Sequence, residues 1–474
     1  MSATFLLERA LIDDRVEADV LVVVEDGRFT EVLPGRDRHL PAGESPSSRV
    51  PGVTSEPVRL AGLSIPGLAN CHSHAFHRAL RGRTQQVGAD GSPGSFWTWR
   101  EQMYAVAQRL DPDSYHDLAR ATYREMLSAG ITAVGEFHYL HHQPDGTPYA
   151  DPNAMGHALV AAAKDAGIRI ALLDTCYLAA GIGRAPEGVQ VRYSDGDAER
   201  WAQRVDQLRG DESTVIGAAI HSVRAVPKEQ IPTISRWARA DTPDGRPLHV
   251  HLSEQVAENE QCHAAHGCTP TELLDDCGAL GPMTSAVHAT HLTDHDLALV
   301  GGASAHACFC PTTERDLGDG IGPSRALFDH GARLTLGSDS HAVIDPFEEM
   351  RAVELDERLA TQQRGHWSAV ELLGAATHQG HASLGFADAG RIAVGQRADL
   401  VTLDTTSTRT AGTGAGPETA VFAAVAEDVR QVMVDGLVHE AGAIRDEVGP
   451  ELERAVRSVS EQPVSRRAAS EGMR

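Results

Sequence analysis

Two kinds of hydrophobic pattern divide the chain. Residues 1–65 and 390–440 contain short segments with alternating or β-branched apolar positions, which is typical of β-strands. Between them, short apolar runs alternate with helical stretches, the pattern of parallel strands joined by crossover helices. Eight such runs occupy residues 63–74, 132–139, 169–178, 215–226, 247–254, 285–292, 303–311 and 333–341.

Eight strand-and-helix units predict an α/β fold, a (β/α)8 TIM-like barrel, and the flanking β segments are expected to pair into one small β-sandwich domain. The predicted boundaries are 1–65 for the first part of the small domain, 66–389 for the barrel, 390–445 for the second part and 446–474 for a charged tail. We expect that tail to be mobile, since it shows no periodic apolar face beyond one short helix. Residues 35–57 are rich in Pro, Gly and Ser and predict a loop.

Composition removes several classes of partner. The chain has 474 residues, with 66 acidic and 42 basic side chains and a formal net charge of −24. Nucleic acids and anionic membranes reward a basic face, so neither is expected as a partner. No apolar run approaches the roughly 20 residues that span a bilayer, and a signal-peptide pattern is absent from the start, so we expect a soluble, cytoplasmic protein. The seven cysteines predict reduced thiols rather than a disulfide framework.

Histidines supply the candidate chemistry, because several of the 24 fall at the ends of predicted strands. In a barrel these ends meet at one rim, where active sites lie. Alternate residues on an extended segment point to the same side, so His72 and His74 can reach one ion. Nitrogen and oxygen ligands of this kind suit zinc or another borderline divalent ion. Four strands contribute to the candidate set of His72, His74, His251, His288 and Asp339.

Each of these residues also has a simpler interpretation. A single histidine in such a run is more often a core residue with satisfied hydrogen bonds, and a single aspartate more often forms a turn. For all five to fall at strand ends independently is much less probable. Glu254, three residues beyond His251, either shuttles a proton beside the metal or is a helix N-terminal carboxylate favoured by the dipole.

Together, the His-x-His pair, His251 with Glu254, His288, and Asp339 in GSDS resemble the amidohydrolase superfamily, in the branch that deaminates amidines with one metal ion. The resemblance covers roughly residues 1–440 and implies that His72, His74, His251 and Asp339 bind the metal. Binuclear members bridge two metals with a carbamylated lysine on the fourth strand. Here that strand ends in His221, and Lys164 and Lys228 lie elsewhere, so the resemblance implies one divalent ion, with zinc expected.

More specific strings resemble the formimidoylglutamate deiminase family: PGLANCHSHAFHRALRG, GSFWTWREQMY, GEFHYLHH, IHSVRAV and CPTTERDLGDG. The resemblance implies hydrolytic deimination of N-formimino-L-glutamate to N-formyl-L-glutamate and ammonia, in histidine degradation, and a homodimer. The substrate is an amidine with two carboxylates, which planar guanidinium groups bind well. The implied substrate contacts are Arg100, Tyr139, His221 and Arg224, with His77 at a position where the family usually has glutamine.

The same resemblance implies three catalytic roles around a metal-activated water. Asp339 accepts or orients the proton of the water, His288 stabilises the developing charge, and Glu254 delivers a proton to the leaving nitrogen. Two alternatives remain open: a sister deaminase that acts on a purine, a pyrimidine or another amidine, and a catalytically silent homologue that serves as a scaffold.

Overall fold

The computed structural model describes residues 2–35, 56–85, 96–240 and 245–460, whose strands form two separate sheets. The strands are β1 Ser2–Ile12, β2 Arg15–Glu25, β3 Arg28–Leu33, β4 Val58–Pro66, β5 Leu68–Ser73, β6 Ile131–His138, β7 Arg169–Cys176, β8 Thr214–Ile220, β9 Leu248–Leu252, β10 Thr284–His288, β11 His306–Phe309, β12 Arg333–Leu336, β13 Leu400–Leu403, β14 Val429–Val434 and β15 Leu437–Glu440. The predicted loop lies largely outside these ranges, at residues 36–55.

Helices follow most strands of the larger sheet. They are α1 Phe96–Ala107, α2 Pro112–Ser128, α3 Ala154–Ala166, α4 Ala198–Val205, α5 Ile231–Arg239, α6 Val256–His266, α7 Pro270–Asp276, α8 Asp294–Gly302, α9 Pro311–Leu317, α10 Ser324–Asp329, α11 Pro346–Thr361, α12 Ala369–Gly374, α13 Gly380–Ser383, α14 Pro417–Phe422 and α15 Ala441–Ser460. Among the described residues, no helix combines the length and the apolar composition needed to cross a bilayer.

The larger sheet is the predicted barrel. Its eight strands run in chain order from β5 to β12, and every neighbouring pair is parallel. The two ends of the sheet meet where Ser73 bridges Asp339, and the backbone N–H groups of Ser338 and Asp339 donate to the carbonyl of His72 at 3.1 and 2.9 Å. The apolar runs are buried on both faces, as parallel strands require. The barrel prediction is confirmed, although the first apolar run, 63–74, spans two strands, the end of β4 and all of β5.

The terminal segments pair as predicted, in a seven-stranded sheet of order β15-β14-β13-β4-β1-β2-β3. Every pair in it is antiparallel except β1 with β4. Phe5, Val22 and Leu400 are among the buried side chains that form its own apolar core. The N-terminal and C-terminal parts of the chain therefore stabilise each other.

A buried ion pair connects the two sheets. Arg169, at the start of β7, donates to Asp399 through Nη2 at 2.9 Å and also contacts Asp435. Arg169 and Asp399 are almost completely buried, so neither charge would be tolerated without the other. Arg169 thus joins the amino-terminal end of the barrel to Asp399, directly before β13, and to Asp435, directly after β14.

The expectation of a mobile tail from residue 446 is wrong for residues 446–460. These residues continue α15, which packs against α2. The apolar side chains that α15 buries recur at helical spacing: Ile444, Val448, Leu452, Ala455 and Val459. The charged residues between them, together with Pro450, obscured this stripe in the sequence. The remainder of the predicted tail, 461–474, lies outside the described residues.

A second buried charge cluster lies between the barrel and α4. Arg204 on α4 donates to both carboxylate oxygens of Asp174 on β7 at 2.8 and 2.9 Å and to Asp195 at 2.9 Å. Burial alone would raise the pKa of Asp174 and Asp195, but Arg204 holds the pKa of Asp174 below its ordinary value, and His142 together with Arg204 does the same for Asp195. The two carboxylates therefore stay ionised at neutral pH.

We expect Arg204→Leu to destabilise the protein at pH 7 by about 3–5 kcal/mol, because it leaves buried carboxylates without a counter-charge. Because the pKa values of Asp174 and Asp195 are lower in the folded than in the unfolded protein, their charges stabilise the fold above the unfolded-state pKa of about 3.9. This stabilisation is lost as the pH falls through the folded-state pKa values. The destabilisation should therefore shrink below about pH 4.

Urea and thermal unfolding of both proteins measure the effect. Arg200→Leu is the matched control, since Arg200 lies one turn away on α4 and makes an exposed ion pair with Asp197. We expect it to cost less than about 1 kcal/mol. Equal losses in the two variants would contradict the prediction.

Candidate active site

Four side chains from three strand ends meet at the carboxyl-terminal rim of the barrel. His72 lies in β5, His74 immediately after it, His251 in β9, and Asp339 three residues after β12. Their ligand atoms all lie within 4.8 Å of one another, and all four side chains are buried. The structure thus brings together the four residues that the sequence singles out as metal ligands.

The distances within this group are short. The Nε2 atoms of His72 and His74 lie 3.3 and 3.2 Å from Oδ1 of Asp339. The Nε2 atoms of His251 and His72 face each other at 3.1 Å. Four potential metal-ligand atoms therefore surround one small volume.

Hydrogen bonds on the opposite side of the rings fix which nitrogen carries the proton. Nδ1 of His74 lies 2.9 Å from the carbonyl of Phe137, and Nδ1 of His251 lies 2.9 Å from the carbonyl of His221. A carbonyl only accepts, so each Nδ1 donates and each neutral ring presents its Nε2 lone pair to the cluster. Lone pairs and a carboxylate that converge in this way repel one another unless a cation lies between them. The donor set fits a divalent ion with three nitrogen ligands and one oxygen ligand.

The electrostatics agree with that fit. Burial lowers the pKa of His72 to about 4 and lowers the pKa of His251 well below its ordinary value. Burial alone would raise the pKa of Asp339, but the neighbouring imidazoles of His72 and His74 hold it well below the usual range. The group therefore offers neutral imidazoles and an ionised carboxylate, the forms that bind metals.

His288, at the end of β10, lies beside this group with a backbone φ of 68°. Its Nδ1 lies 3.3 Å from Oε1 of Glu314, and its Nε2 lies 3.9 Å from Oδ2 of Asp339. Burial opposes the charged ring, but the neighbouring carboxylates of Glu254, Glu314 and Asp339 raise the pKa of His288 to about 10. Nε2 is thus a hydrogen-bond donor that faces the candidate metal site.

Glu254 lies two residues before α6 and shares its cationic partner with a second carboxylate. Nη2 of Arg224 lies 3.5 Å from Oε2 of Glu254, and Nε of Arg224 lies 3.7 Å from Oε2 of Glu258. Glu258 is one helical turn beyond Glu254 and is almost completely buried. Sequence reasoning missed Glu258, although its spacing of four residues from Glu254 was a usable signal.

One cavity of about 660 Å³ opens onto the candidate metal site. The predicted substrate contacts line it together with aromatic side chains, and the lining includes Arg100 from α1 and Arg224. All the predicted site residues except His72, which lies behind the surface, are in its lining: His74, His77, Arg100, Tyr139, His221, Arg224, His251, Glu254, His288 and Asp339. The sequence thus identified one contiguous site.

His77, where the related family usually has glutamine, contacts Tyr139. Its Nε2 lies 3.0 Å from the Tyr139 hydroxyl, and its ring centroid is 4.5 Å from that of His74. Burial lowers the pKa of His77 well below its ordinary value, so the ring is neutral. His77 therefore forms part of the cavity wall next to the metal ligands.

A second group of potential ligands consists of His138, His141 and Asp174. Both oxygens of Asp174 already accept hydrogen bonds from Arg204. Nε2 of His141 lies 2.9 Å from the Thr175 carbonyl, so it donates. A cation here would have to replace the guanidinium of Arg204, and the group is therefore a buried ion-pair network rather than a metal site.

A parallel eight-stranded barrel with this ligand group at its carboxyl-terminal rim defines the class of metal-dependent barrel hydrolases. The chain belongs to the amidohydrolase family, whose sequence profile matches residues 63–438. Several of its relatives are deaminases, and the chain is accordingly an amidohydrolase-type hydrolytic enzyme that acts on carbon–nitrogen bonds.

Three relatives show the range of similarity. Formimidoylglutamate deiminase from Pseudomonas aeruginosa is 36% identical over 85% of this chain and 86% of that protein. A 5-methylthioadenosine/S-adenosylhomocysteine deaminase from Shouchella clausii is 29% identical over 88% of each. The crystal structure of an amidohydrolase from Brucella melitensis has a TM-score of 0.84 and 31% identity, covering 96% of this chain and 99% of that one.

We expect elemental analysis of the purified protein to find one divalent ion per chain. His251→Ala should abolish it, because the change removes a ligand from the rim. His141→Ala is the matched control in the second group and should leave the metal content unchanged. Loss of metal in His141→Ala, or retention in His251→Ala, would show that the ion lies elsewhere.

Proposed function

We propose that this enzyme hydrolyses N-formimino-L-glutamate to N-formyl-L-glutamate and ammonia, a reaction of histidine degradation. The observation that carries the proposal is the cavity, whose lining combines Arg100 and Arg224 with His74, His251 and Asp339 of the metal-ligand group. A dicarboxylic amidine needs cationic groups at one end and a hydrolytic centre at the other. The similarity to the Pseudomonas aeruginosa formimidoylglutamate deiminase supports the same substrate.

The proposed metal ion is zinc, held by His72, His74, His251 and Asp339. A divalent ion bound there lowers the pKa of a water molecule toward neutrality and so supplies the nucleophile. The proposal places the enzyme in the cytoplasm, which agrees with seven cysteines that form no disulfide. The homodimer remains a prediction that sedimentation would test.

The protein's own groups account for the proton transfers. Asp339 would orient the attacking water, or accept its proton, through its second oxygen, Oδ2, which lies 3.9 Å from Nε2 of His288. His288 donates from Nε2 to the oxygen on which charge develops, while Glu314 holds its other nitrogen. Glu254 lies in the cavity wall, where it would take up one proton of the water and deliver it to the imino nitrogen. The second proton of the water, taken up by Asp339, would reach the same nitrogen, so that ammonia departs and the formyl group forms.

A second function is favoured by one observation, the aromatic wall of the cavity. Trp99, Tyr104, Tyr177 and Tyr193 line it alongside Tyr139. Flat aromatic surfaces suit a purine or pyrimidine ring, and the Shouchella clausii relative is a deaminase of an adenine derivative. This alternative predicts that the arginines contribute little to substrate binding.

Ammonia release from N-formimino-L-glutamate, guanine, cytosine and 5-methylthioadenosine separates the two functions. We expect turnover of the first compound alone. Arg100→Met and Arg224→Met should each weaken kcat/KM by about 10- to 100-fold, the effect of losing a hydrogen bond to a charged group. N-formiminoglycine lacks the side-chain carboxylate, so the arginine that binds this carboxylate has no partner in it. The Met variant of that arginine should therefore be nearly as active toward N-formiminoglycine as the wild-type enzyme.

Arg184→Met is the control for this experiment, because Arg184 lines the same cavity but forms an exposed ion pair with Glu187. We expect less than about a threefold change, as for exposed ion pairs in general. Deamination of a nucleobase compound with unchanged kinetics in both arginine variants would overturn the proposal in favour of the second function.

We expect Glu254→Gln to lower kcat by about 10²–10⁴-fold, because the amide cannot transfer a proton. Metal content should stay at the wild-type value, since Glu254 is not among the four ligands. Glu260→Gln, an exposed position on α6 six residues after Glu254, is the matched control. Near-normal turnover of Glu254→Gln with full metal occupancy would remove Glu254 from the mechanism.

A further inference from the structure

The buried imidazole of His341, which is not one of the metal ligands, connects β5 to the segment that follows β12. Nε2 of His341 lies 3.1 Å from Oγ of Ser73, and Nδ1 lies 3.0 Å from Oγ of Ser338. Ser73 stands between the two ligand histidines of β5, and Ser338 immediately precedes Asp339. His341 is completely buried and is not within the ligand group itself.

The direction of each hydrogen bond follows from the groups at the ends. Ser73 Oγ donates to Oε2 of Glu136 at 2.6 Å, so it has no second proton and accepts from Nε2–H of His341. Nδ1 of His341 is then a lone pair and accepts from the Ser338 hydroxyl. That hydroxyl oxygen in turn accepts from Nδ2 of Asn70 at 2.7 Å. The neutral imidazole of His341, with its proton on Nε2, therefore uses its one donor and its one acceptor in this series.

Both ends of this chain are tied to the backbone around the ligands. The other carboxylate oxygen of Glu136 accepts from the N–H of Ala75 at 2.7 Å, directly after His74. Oδ1 of Asn70 accepts from the N–H of Ser338 at 2.9 Å, directly before Asp339. The hydrogen-bonded series therefore runs from β6, across β5, to the segment after β12.

We propose that His341 is a positioning residue that sets the separation between the ligand histidines of β5 and Asp339. It acts through Ser73 and Ser338 and touches neither the ion nor the substrate. The main chain at His341 has a φ of 56°, an unfavourable value for a non-glycine residue that the surrounding contacts must maintain. Groups that orient metal ligands in this way commonly change metal affinity by 10- to 100-fold when removed. The inference rests on the metal site and not on the identity of the substrate.

Two variants break the series at different links. His341→Asn tolerates the positive φ and removes the imidazole's hydrogen bonds to Ser73 and Ser338. Ser73→Ala removes the hydrogen bonds to His341 and Glu136 with the loss of a single oxygen. The matched control is His381→Asn. His381 is also completely buried, and its two nitrogens bond Thr132 and Thr377, so neither hydrogen bond involves a residue next to a metal ligand.

The measurement is the Kd of the apoprotein for Zn²⁺, from competition with a chromophoric chelator, together with the visible spectrum of the Co²⁺-loaded protein. We expect both variants to bind Zn²⁺ about 10- to 100-fold more weakly, with a changed Co²⁺ spectrum. The double variant should be no weaker than the worse single variant. His381→Asn should lower the thermal midpoint but keep the Zn²⁺ Kd within about threefold, since buried hydrogen bonds there affect stability alone.

Ser73→Ala is the deciding variant, because so small a change should preserve folding even if His341→Asn does not. Wild-type Zn²⁺ affinity and an unaltered Co²⁺ spectrum in Ser73→Ala would overturn the proposal. A loss of affinity of equal size in His381→Asn would also overturn it, by showing a general effect of stability. Neither result depends on an activity assay, so failure here leaves the proposed substrate untouched.

Discussion

The site depends on the contact that closes the barrel between β5 and the segment after β12. The carbonyl of His72 accepts hydrogen bonds from the backbone of both Ser338 and Asp339. Through this contact the first and last strands of the barrel place two imidazoles and a carboxylate next to each other, although they are more than 260 residues apart in the chain. If the barrel opened here, His72 and Asp339 would separate and the three-nitrogen, one-oxygen donor set would be lost.

Closure alone does not determine which atoms face the ion. Carbonyls at the ends of two other strands take the Nδ1 protons of His74 and His251, which leaves the Nε2 lone pairs for the ion. His288 and Asp339 have positive φ values of 68° and 38°, so the backbone at the rim is held in conformations that most residues avoid. The folding free energy of the barrel must therefore maintain both the strained backbone and the converging lone pairs.

The sequence predicts the barrel and the ligand group well for one physical reason. Parallel strands end at a common rim, so polar residues at the ends of apolar runs, such as His251 and His288, must lie near each other. The sequence does not predict contacts between residues that are far apart in the chain. Nothing in GSDSH indicates that His341 contacts Ser73, and a charge-rich segment hid the stripe that packs α15 against α2. The specific strings suggested a dicarboxylic amidine as the substrate, but they could not show that Arg224 already faces two carboxylates.

That arrangement of charges constrains how a dicarboxylate can bind. Glu254 and Glu258 both lie within 4 Å of Arg224, so a substrate carboxylate would be the third anion around one cation. Burial raises the pKa of Glu258 to about 7, with the Glu254 charge adding to this and Arg224 opposing it. Uptake of a proton by Glu258 as the substrate enters would restore the balance of charge, leaving Arg224 to bridge the substrate and Glu254. A neutral nucleobase imposes no such requirement, so uptake of a proton on binding is expected only for the proposed anionic substrate.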